Sequence, residues 1–232
     1  MENVFAARLA AVHARVADAA RAAGRDPGDV TVLLATKTQD PETIRAVLTL
    51  PGTAGVLRGE NRVQELVAKG PELADLAMPT HLIGPLQSNK VNAALRWVTC
   101  VESVASARLA DALSARVAPD RTLDVMVQVN VSGEATKHGV TPDDALPLAR
   151  HVATLPGLCL TGFMTIGAHT TDETVVRAGF ATLRATRDAA VAEGLTTATA
   201  LSMGMTADLE LAVAEGATIV RVGTAVFGPR PQ

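Results

Sequence analysis

Short apolar runs alternate with amphipathic stretches along the whole chain. The strand candidates are residues 30–36, 55–58, 80–84, 97–101, 123–130, 158–165, 198–202 and 218–222. Almost every gap between them shows apolar residues at the spacing of one helix face. Short, nearly continuous apolar runs are typical of parallel strands that are buried on both faces. The pattern therefore predicts a series of eight βα units.

Turn and capping residues mark the same boundaries. Asp40-Pro41 and Thr141-Pro142 precede two predicted helices, and Thr206 precedes a third. A capping side chain followed by proline is a common helix start. The phrase VAEG ends two helices, at Gly194 and Gly216, where a left-handed residue is favoured. The capping signals thus agree with the element order that the hydropathy pattern predicts.

Eight βα units in 232 residues predict an α/β protein with a TIM-type (β/α)8 barrel, a single domain over residues 1–232. Residues 1–24 carry charges at helical spacing and predict an extra N-terminal helix packed on the barrel instead of a signal peptide. A doubly wound open sheet is the alternative. The first strand is not followed by a G-x-G-x-x-G turn, which counts mildly against that alternative.

Charge and composition exclude several classes of partner. The chain has 21 basic and 24 acidic residues without a basic stripe, and only five aromatic residues, so nucleic acid is not an expected partner. The sequence contains no run of eighteen apolar residues, so a membrane span is not expected. Together with the N-terminal segment that does not resemble a signal peptide, this predicts a cytoplasmic protein. Cys100 and Cys159 lie singly in apolar runs, which predicts reduced core thiols and no metal site.

Candidate chemistry lies at the ends of the predicted strands, which meet at one face of a TIM barrel. The loops after strands seven and eight often hold a phosphate there, and Ser202, Gly204, Gly223 and Thr224 supply suitable hydroxyls and small residues. Lys37 directly follows the first predicted strand. This combination suggests a phosphorylated carbonyl compound held as a Schiff base.

Each of these residues also has a purely structural interpretation. A lysine at a strand end commonly extends to solvent, and Ser202 or Thr224 could cap a helix. A buried histidine such as His81 is more often a core residue than a catalyst. Arg221 occupies an alternating position of a buried strand, so its guanidinium needs an acceptor inside the barrel. Glu60 and Glu102 are the candidates.

Six segments carry a resemblance to a known family. They are ATKTQ at 35–39, GENRVQEL at 59–66, HLIGPLQSNK at 81–90, QVNVSGEATKHGV at 128–140, LTGFMTIG at 160–167 and LSMGMTADLELAVAEGATIVRVGTAVFG at 201–228. They resemble the pyridoxal 5′-phosphate (PLP) homeostasis proteins, whose single domain is similar to the barrel domain of alanine racemase. The resemblance implies PLP as the cofactor, with Lys37 as its Schiff-base lysine.

The same resemblance implies roles for further residues. Ser202, Gly223 and Thr224 would hold the phosphate, and Arg221 would face the pyridine nitrogen. The other two implied cofactor neighbours are Asn61 and His81. Three positions depart from the family pattern: Arg58 and Arg62 replace aromatic residues, and Pro85 replaces a histidine.

An arginine beside the pyridine nitrogen keeps the ring largely unprotonated, which weakens its capacity to accept electrons. Racemases of the resembling fold use a tyrosine from an additional domain as a second base, and this chain has no tyrosine. The expected function is therefore to buffer, carry or deliver PLP to apo forms of PLP-dependent enzymes, without committed turnover. The alternatives are a small PLP-dependent amino-acid racemase or lyase with Lys37 as its base, and a Schiff-base aldolase for sugar phosphates.

Overall fold

A closed ring of eight parallel strands forms the centre of the computed structural model, which describes residues 2–134 and 137–228. The strands are β1 (Thr31–Ala35), β2 (Leu57–Glu60), β3 (Thr80–Leu82), β4 (Cys100–Val104), β5 (Leu123–Gln128), β6 (Leu158–Met164), β7 (Ala200–Ser202) and β8 (Ile219–Val222). The ring closes where β1 pairs with β8. This confirms the predicted TIM-type (β/α)8 barrel.

The first helix precedes the first strand, and the other helices follow the strands and cover the outside of the ring. They are α1 (Glu2–Ala22), α2 (Pro41–Leu48), α3 (Val63–Leu73), α4 (Val91–Leu95), α5 (Ala107–Ser114), α6 (Pro142–Ala153), α7 (Glu173–Ala192), α8 (Leu209–Ala214) and α9 (Thr224–Phe227). Most of the buried apolar side chains lie between this helical layer and the strands.

Capping residues explain where several helices begin. The carboxylate of Asp40 accepts a hydrogen bond from the Thr43 amide at 2.7 Å. The hydroxyl of Thr141 accepts one from the Asp144 amide at 3.2 Å. Both predicted helix starts are therefore confirmed. The prediction that a helix begins after Thr206 is wrong by two residues, because the intervening turn is closed by a 2.6 Å hydrogen bond from the Met205 amide to Asp208.

Two strands lie further along the chain than the hydropathy pattern predicts. β2 occupies 57–60 instead of 55–58, and β4 occupies 100–104 instead of 97–101. Both displacements bring a buried carboxylate into a strand: Glu60 into β2 and Glu102 into β4. A hydropathy pattern scores such residues as strand ends, because it contains no information on the partners that neutralise them.

Side chains inside the barrel change character along the strands. A small apolar cluster fills the interior and includes Cys100 and Ile219, with Ala200 packed against it. Because side chains alternate between the faces of a strand, the next inward positions are two residues further on. These are Glu102, Ser202 and Arg221, so the interior becomes polar toward the carboxyl ends of the strands.

Helix α1 packs against α8 and α9. Arg15 donates hydrogen bonds to the Glu210 carboxylate at 2.7 and 2.9 Å and to the Thr206 carbonyl at 2.9 Å. Arg8 donates to the Val226 carbonyl at 3.4 Å. In the part of the chain that the structure describes, no helix is long and apolar enough to cross a membrane.

Candidate functional site

A chain of buried polar side chains crosses the barrel interior near the carboxyl ends of the strands. His81 Nδ1 lies 2.6 Å from Glu102 Oε1, and the Ser202 hydroxyl donates to Glu102 Oε2 at 2.6 Å. Arg221 Nη1 donates to Ser202 Oγ at 2.7 Å, and Nη2 donates to the Thr165 carbonyl at 2.6 Å. The four side chains come from β3, β4, β7 and β8, so the register of the barrel brings them together.

The charges in this chain compensate one another. Burial acts to raise the pKa of the Glu102 carboxyl, but the hydrogen bond and charge of His81, with Arg221 and Ser202, outweigh it and lower that pKa. Burial lowers the pKa of Arg221, and Glu102 and Asp208 oppose the change. A guanidinium keeps its proton under such conditions. The interior therefore holds an ionised carboxylate and a permanent cation.

The acceptors of Arg221 are thus the Ser202 hydroxyl and the Thr165 carbonyl, with Glu102 reached through Ser202. Glu60, the other carboxylate considered from the sequence, belongs to a different network. It accepts a hydrogen bond from Lys69 of α3 on the outside of the barrel. Side chains alternate between the two faces of each strand, and Glu102 points inward whereas Glu60 points outward. Glu102 is therefore the carboxylate that lies on the same side as Arg221.

Lys37 stands in a turn directly after β1 and is half-buried. The turn is closed by a hydrogen bond from the Gln39 amide to the Thr36 carbonyl at 3.2 Å. Thr38 has φ 65°, a left-handed conformation that is unusual for a β-branched residue. Such strain persists only where the surrounding contacts impose it.

Helix α3 provides those contacts on both sides of Lys37. Lys69 Nζ donates to the Thr36 carbonyl at 2.9 Å and lies 3.2 Å from a carboxylate oxygen of both Glu60 and Glu65. The Thr38 amide donates to Glu65 at 2.9 Å, and the Thr36 hydroxyl donates to Glu60 at 2.7 Å. We call Thr36, Glu60, Glu65 and Lys69 the α3 clamp, since together they fix the backbone before and after Lys37.

The sequence reasoning missed the α3 clamp. Its one visible signal was Glu65 followed by Lys69 four residues later, a spacing that joins the two side chains on a helix surface. On an exposed helix such an ion pair contributes little to the free energy of unfolding. Here Lys69 is 7% exposed, so packing of α3 on β2 turns an ordinary helix pair into a buried one.

Gly223 and Thr224 follow β8, and the loop after β7 lies beside them. The Arg221 amide donates to the Gly204 carbonyl at 3.0 Å, which joins that loop to β8. A Cβ on Gly223 would lie 3.2 Å from the Ala35 carbonyl oxygen, so β8 passes close to the end of β1. Thr224 is exposed. This edge therefore combines small residues with an accessible hydroxyl near the end of the strand that leads to Lys37.

The structure brings together three of the predicted site residues through Glu102, namely His81, Ser202 and Arg221. Lys37, Asn61, Gly223 and Thr224 stand separately after β1, β2 and β8, at the same end of the barrel. Ser202 has one hydroxyl proton, and Glu102 accepts it. A hydrogen bond from Ser202 to a phosphate would have to replace that bond, so its phosphate role remains a prediction.

Asn61, Arg62 and Pro85 line a cavity of about 540 Å³ beside the ends of β2 and β3. Asn61 is half-buried and Arg62 is exposed. Two of the three departures from the family pattern therefore lie at the surface next to Asn61. The third, Arg58, lies elsewhere in the fold.

The closed eight-stranded barrel carries Lys37 after β1 and a buried Arg221 in β8, and comparison assigns it to the alanine racemase N-terminal class. The sequence model described as "Alanine racemase, N-terminal domain" matches residues 8–231. The chain is 44% identical over 231 residues to the pyridoxal phosphate homeostasis protein of Pseudomonas aeruginosa, covering 98% of this chain and 96% of that protein.

Two further relatives agree. The pyridoxal phosphate homeostasis protein of Aquifex aeolicus is 40% identical over 225 residues, covering 96% of this chain and 97% of that protein. The structure of PipY from Synechococcus elongatus with PLP bound is 33% identical and superposes with a TM-score of 0.82, covering 97% of this chain and 100% of that one. The chain belongs to the pyridoxal phosphate homeostasis protein family.

Proposed function

We propose that this protein binds PLP through a Schiff base with Lys37 and takes part in PLP homeostasis by buffering, carrying or delivering the cofactor. The observation that carries the proposal is the α3 clamp, which fixes the backbone on both sides of one half-buried lysine at the carboxyl end of β1. A covalent cofactor attachment is favoured by a lysine whose backbone is held in place. The PLP bound in PipY supports the choice of cofactor.

The residues at this end of the barrel fit PLP in chemistry. When bound, PLP supplies an aldehyde for a lysine amine, a phosphate dianion and a pyridine ring that can accept electrons. Gly223 allows a close backbone approach, and Thr224 offers an exposed hydroxyl for the phosphate. Arg221 carries five N–H donors, of which two serve Ser202 and Thr165, so donors remain for the pyridine nitrogen.

Arg221 also supports the proposal that turnover is not the main task. Its permanent proton makes it a hydrogen-bond donor toward the ring and prevents it from sharing a proton as a carboxylic acid would. Enzymes that stabilise carbanions on PLP normally place a carboxylate there. The proposed partners are accordingly apo forms of PLP-dependent enzymes, and the proposed location is the cytoplasm.

The first test is the visible absorption spectrum of the protein mixed with PLP, followed by borohydride reduction and peptide mass mapping. We expect a coloured adduct whose reduced form maps to Lys37. Lys37→Ala should lose it, while Lys90→Ala, in the neighbouring cavity, should keep it. An adduct spread over many surface lysines, or present in Lys37→Ala, would refute the proposed attachment.

The His81–Glu102 pair favours one second candidate, a PLP-dependent racemase or lyase, because a buried histidine held by a carboxylate is a common proton-transfer unit. Transfer of PLP to an apo-enzyme and a chiral assay across amino acids separate the two functions. Transfer without racemisation is expected from the proposal. Racemisation that depends on both Lys37 and His81, without transfer, would favour the second candidate.

A further inference from the structure

Arg58 is a buried cation without a partner in the protein. It is 5% exposed, and its Nε is a buried nitrogen with no hydrogen-bond acceptor. Throughout residues 2–134 and 137–228, its guanidinium makes no hydrogen bond and no ion pair. An unpaired buried charge is strongly unfavourable, so a side chain in this state calls for an explanation.

The carboxylates nearby are already engaged. Glu60, two residues along β2, pairs with Lys69 at 3.2 Å. Asp75, which follows Ala74, a residue that lines the same cavity as Arg58, pairs with Arg45 at 2.7 Å. Burial lowers the pKa of Arg58, and the charge of Glu60 opposes this change. A guanidinium stays protonated even when it is buried. Arg58 therefore needs a hydrogen-bond acceptor that is not part of the protein.

The structure provides space for such an acceptor. Arg58 lines a cavity of about 230 Å³ on the outer face of β2 and β3. At about 30 Å³ per water molecule, this volume holds several waters or one small oxyanion. Thr80, Trp97 and Arg96 also line this cavity. Arg96 is exposed, so the cavity has a buried guanidinium in its wall and a second one at its mouth.

We propose that this cavity is a binding site for a small oxyanion of the phosphate class, held by Arg58 within and Arg96 at the rim. The planar fork of a guanidinium matches the oxygens of such anions, and two cations favour a dianion. Thr80 faces the cavity outside β3, whereas the next residue, His81, faces the interior and contacts Glu102. The barrel wall separates the two sites.

The single tryptophan of the chain, Trp97, lies in the wall of the cavity and reports on its contents. The test is a titration of Trp97 emission with inorganic phosphate, in protein preloaded with PLP and freed of excess. Filling the cofactor site first keeps phosphate from competing there. Choline chloride of equal ionic strength serves as the salt control. We expect a saturable change with phosphate and none with chloride.

Variants of the two arginines test whether the change in Trp97 emission arises from phosphate in the cavity. Arg58→Met should weaken phosphate binding roughly 10- to 100-fold, since it removes a charge-assisted contact. Arg96→Ala should weaken it several-fold, and its exposed position keeps the test valid if Arg58→Met does not fold. Arg21→Ala removes an exposed arginine of α1 and should change nothing.

Three results would overturn the proposal. They are no phosphate response in the native protein, a response that survives in Arg58→Met, and, if that variant does not fold, a response unchanged by Arg96→Ala. The cavity would then hold water only. The dependence on these two arginines decides the outcome whether or not PLP binds through Lys37.

Discussion

Two buried cations lie on the outside of the barrel, Lys69 in α3 and Arg58 in β2, and their surroundings differ. Lys69 is 7% exposed and donates to the Thr36 carbonyl, Glu60 and Glu65. Arg58 is 5% exposed, and no described residue accepts a hydrogen bond from its guanidinium. The two cations are similarly buried, but Lys69 has a full set of hydrogen-bond acceptors and Arg58 has none among the described residues.

The difference separates structural charges from binding charges. A buried cation whose donors all find acceptors within the protein fixes those acceptors, and Lys69 fixes the backbone beside Lys37. A buried cation whose donors remain unused keeps its binding capacity for a ligand. The number of partners, more than the degree of burial, distinguishes the two roles.

The largest expected effect comes from breaking the paired site. Lys69→Met leaves Glu60 buried without its cation, and we expect the free energy of unfolding to fall by about 3–5 kcal/mol. Denaturant unfolding monitored by circular dichroism measures this change. Combining Lys69→Met with Glu60→Gln should restore part of the loss, since the orphan charge is removed. A loss below about 1 kcal/mol would place Lys69 among ordinary surface charges.

A smaller effect is expected from acid, through the paired charge inside the barrel. The pKa of Glu102 is lowered in the folded protein, so its contribution to stability is complete above the ordinary carboxyl pKa of about 4.3. That contribution disappears as the pH falls through the lower folded value. Denaturant unfolding from pH 7 downward should show a steeper acid loss for the native protein than for Glu102→Gln. Parallel profiles would contradict the assigned shift.

The smallest expected effect has the opposite sign. Arg58→Met removes an unpaired buried charge, and we expect the free energy of unfolding in phosphate-free buffer to rise by about 1 kcal/mol. Adding phosphate should stabilise the native protein and not the variant, so the difference between their free energies of unfolding becomes smaller. Thermal unfolding with and without phosphate measures both. A destabilised variant in phosphate-free buffer would mean that Arg58 is paired after all.

The sequence was sufficient to predict the barrel because its strands are buried on both faces and stand out as apolar runs. It located β2 and β4 imperfectly because buried charged residues lie within both strands. Lys37 and Arg221 could be singled out as charges next to or within buried strands. The α3 clamp and the Arg58 cavity could not, since both arise only when α3 and Trp97 pack against the outside of β2 and β3.

Arg8 and Arg15 of α1 stand seven residues apart and hold the backbone carbonyls of Val226 and Thr206, one in each of the segments that follow β8 and β7. Helix α1 thus supports, through these hydrogen bonds, the two segments that are proposed to bind the phosphate of PLP. Removal of α1 would free both carbonyls from these contacts. Measurements of cofactor exchange therefore require a protein in which α1 is intact.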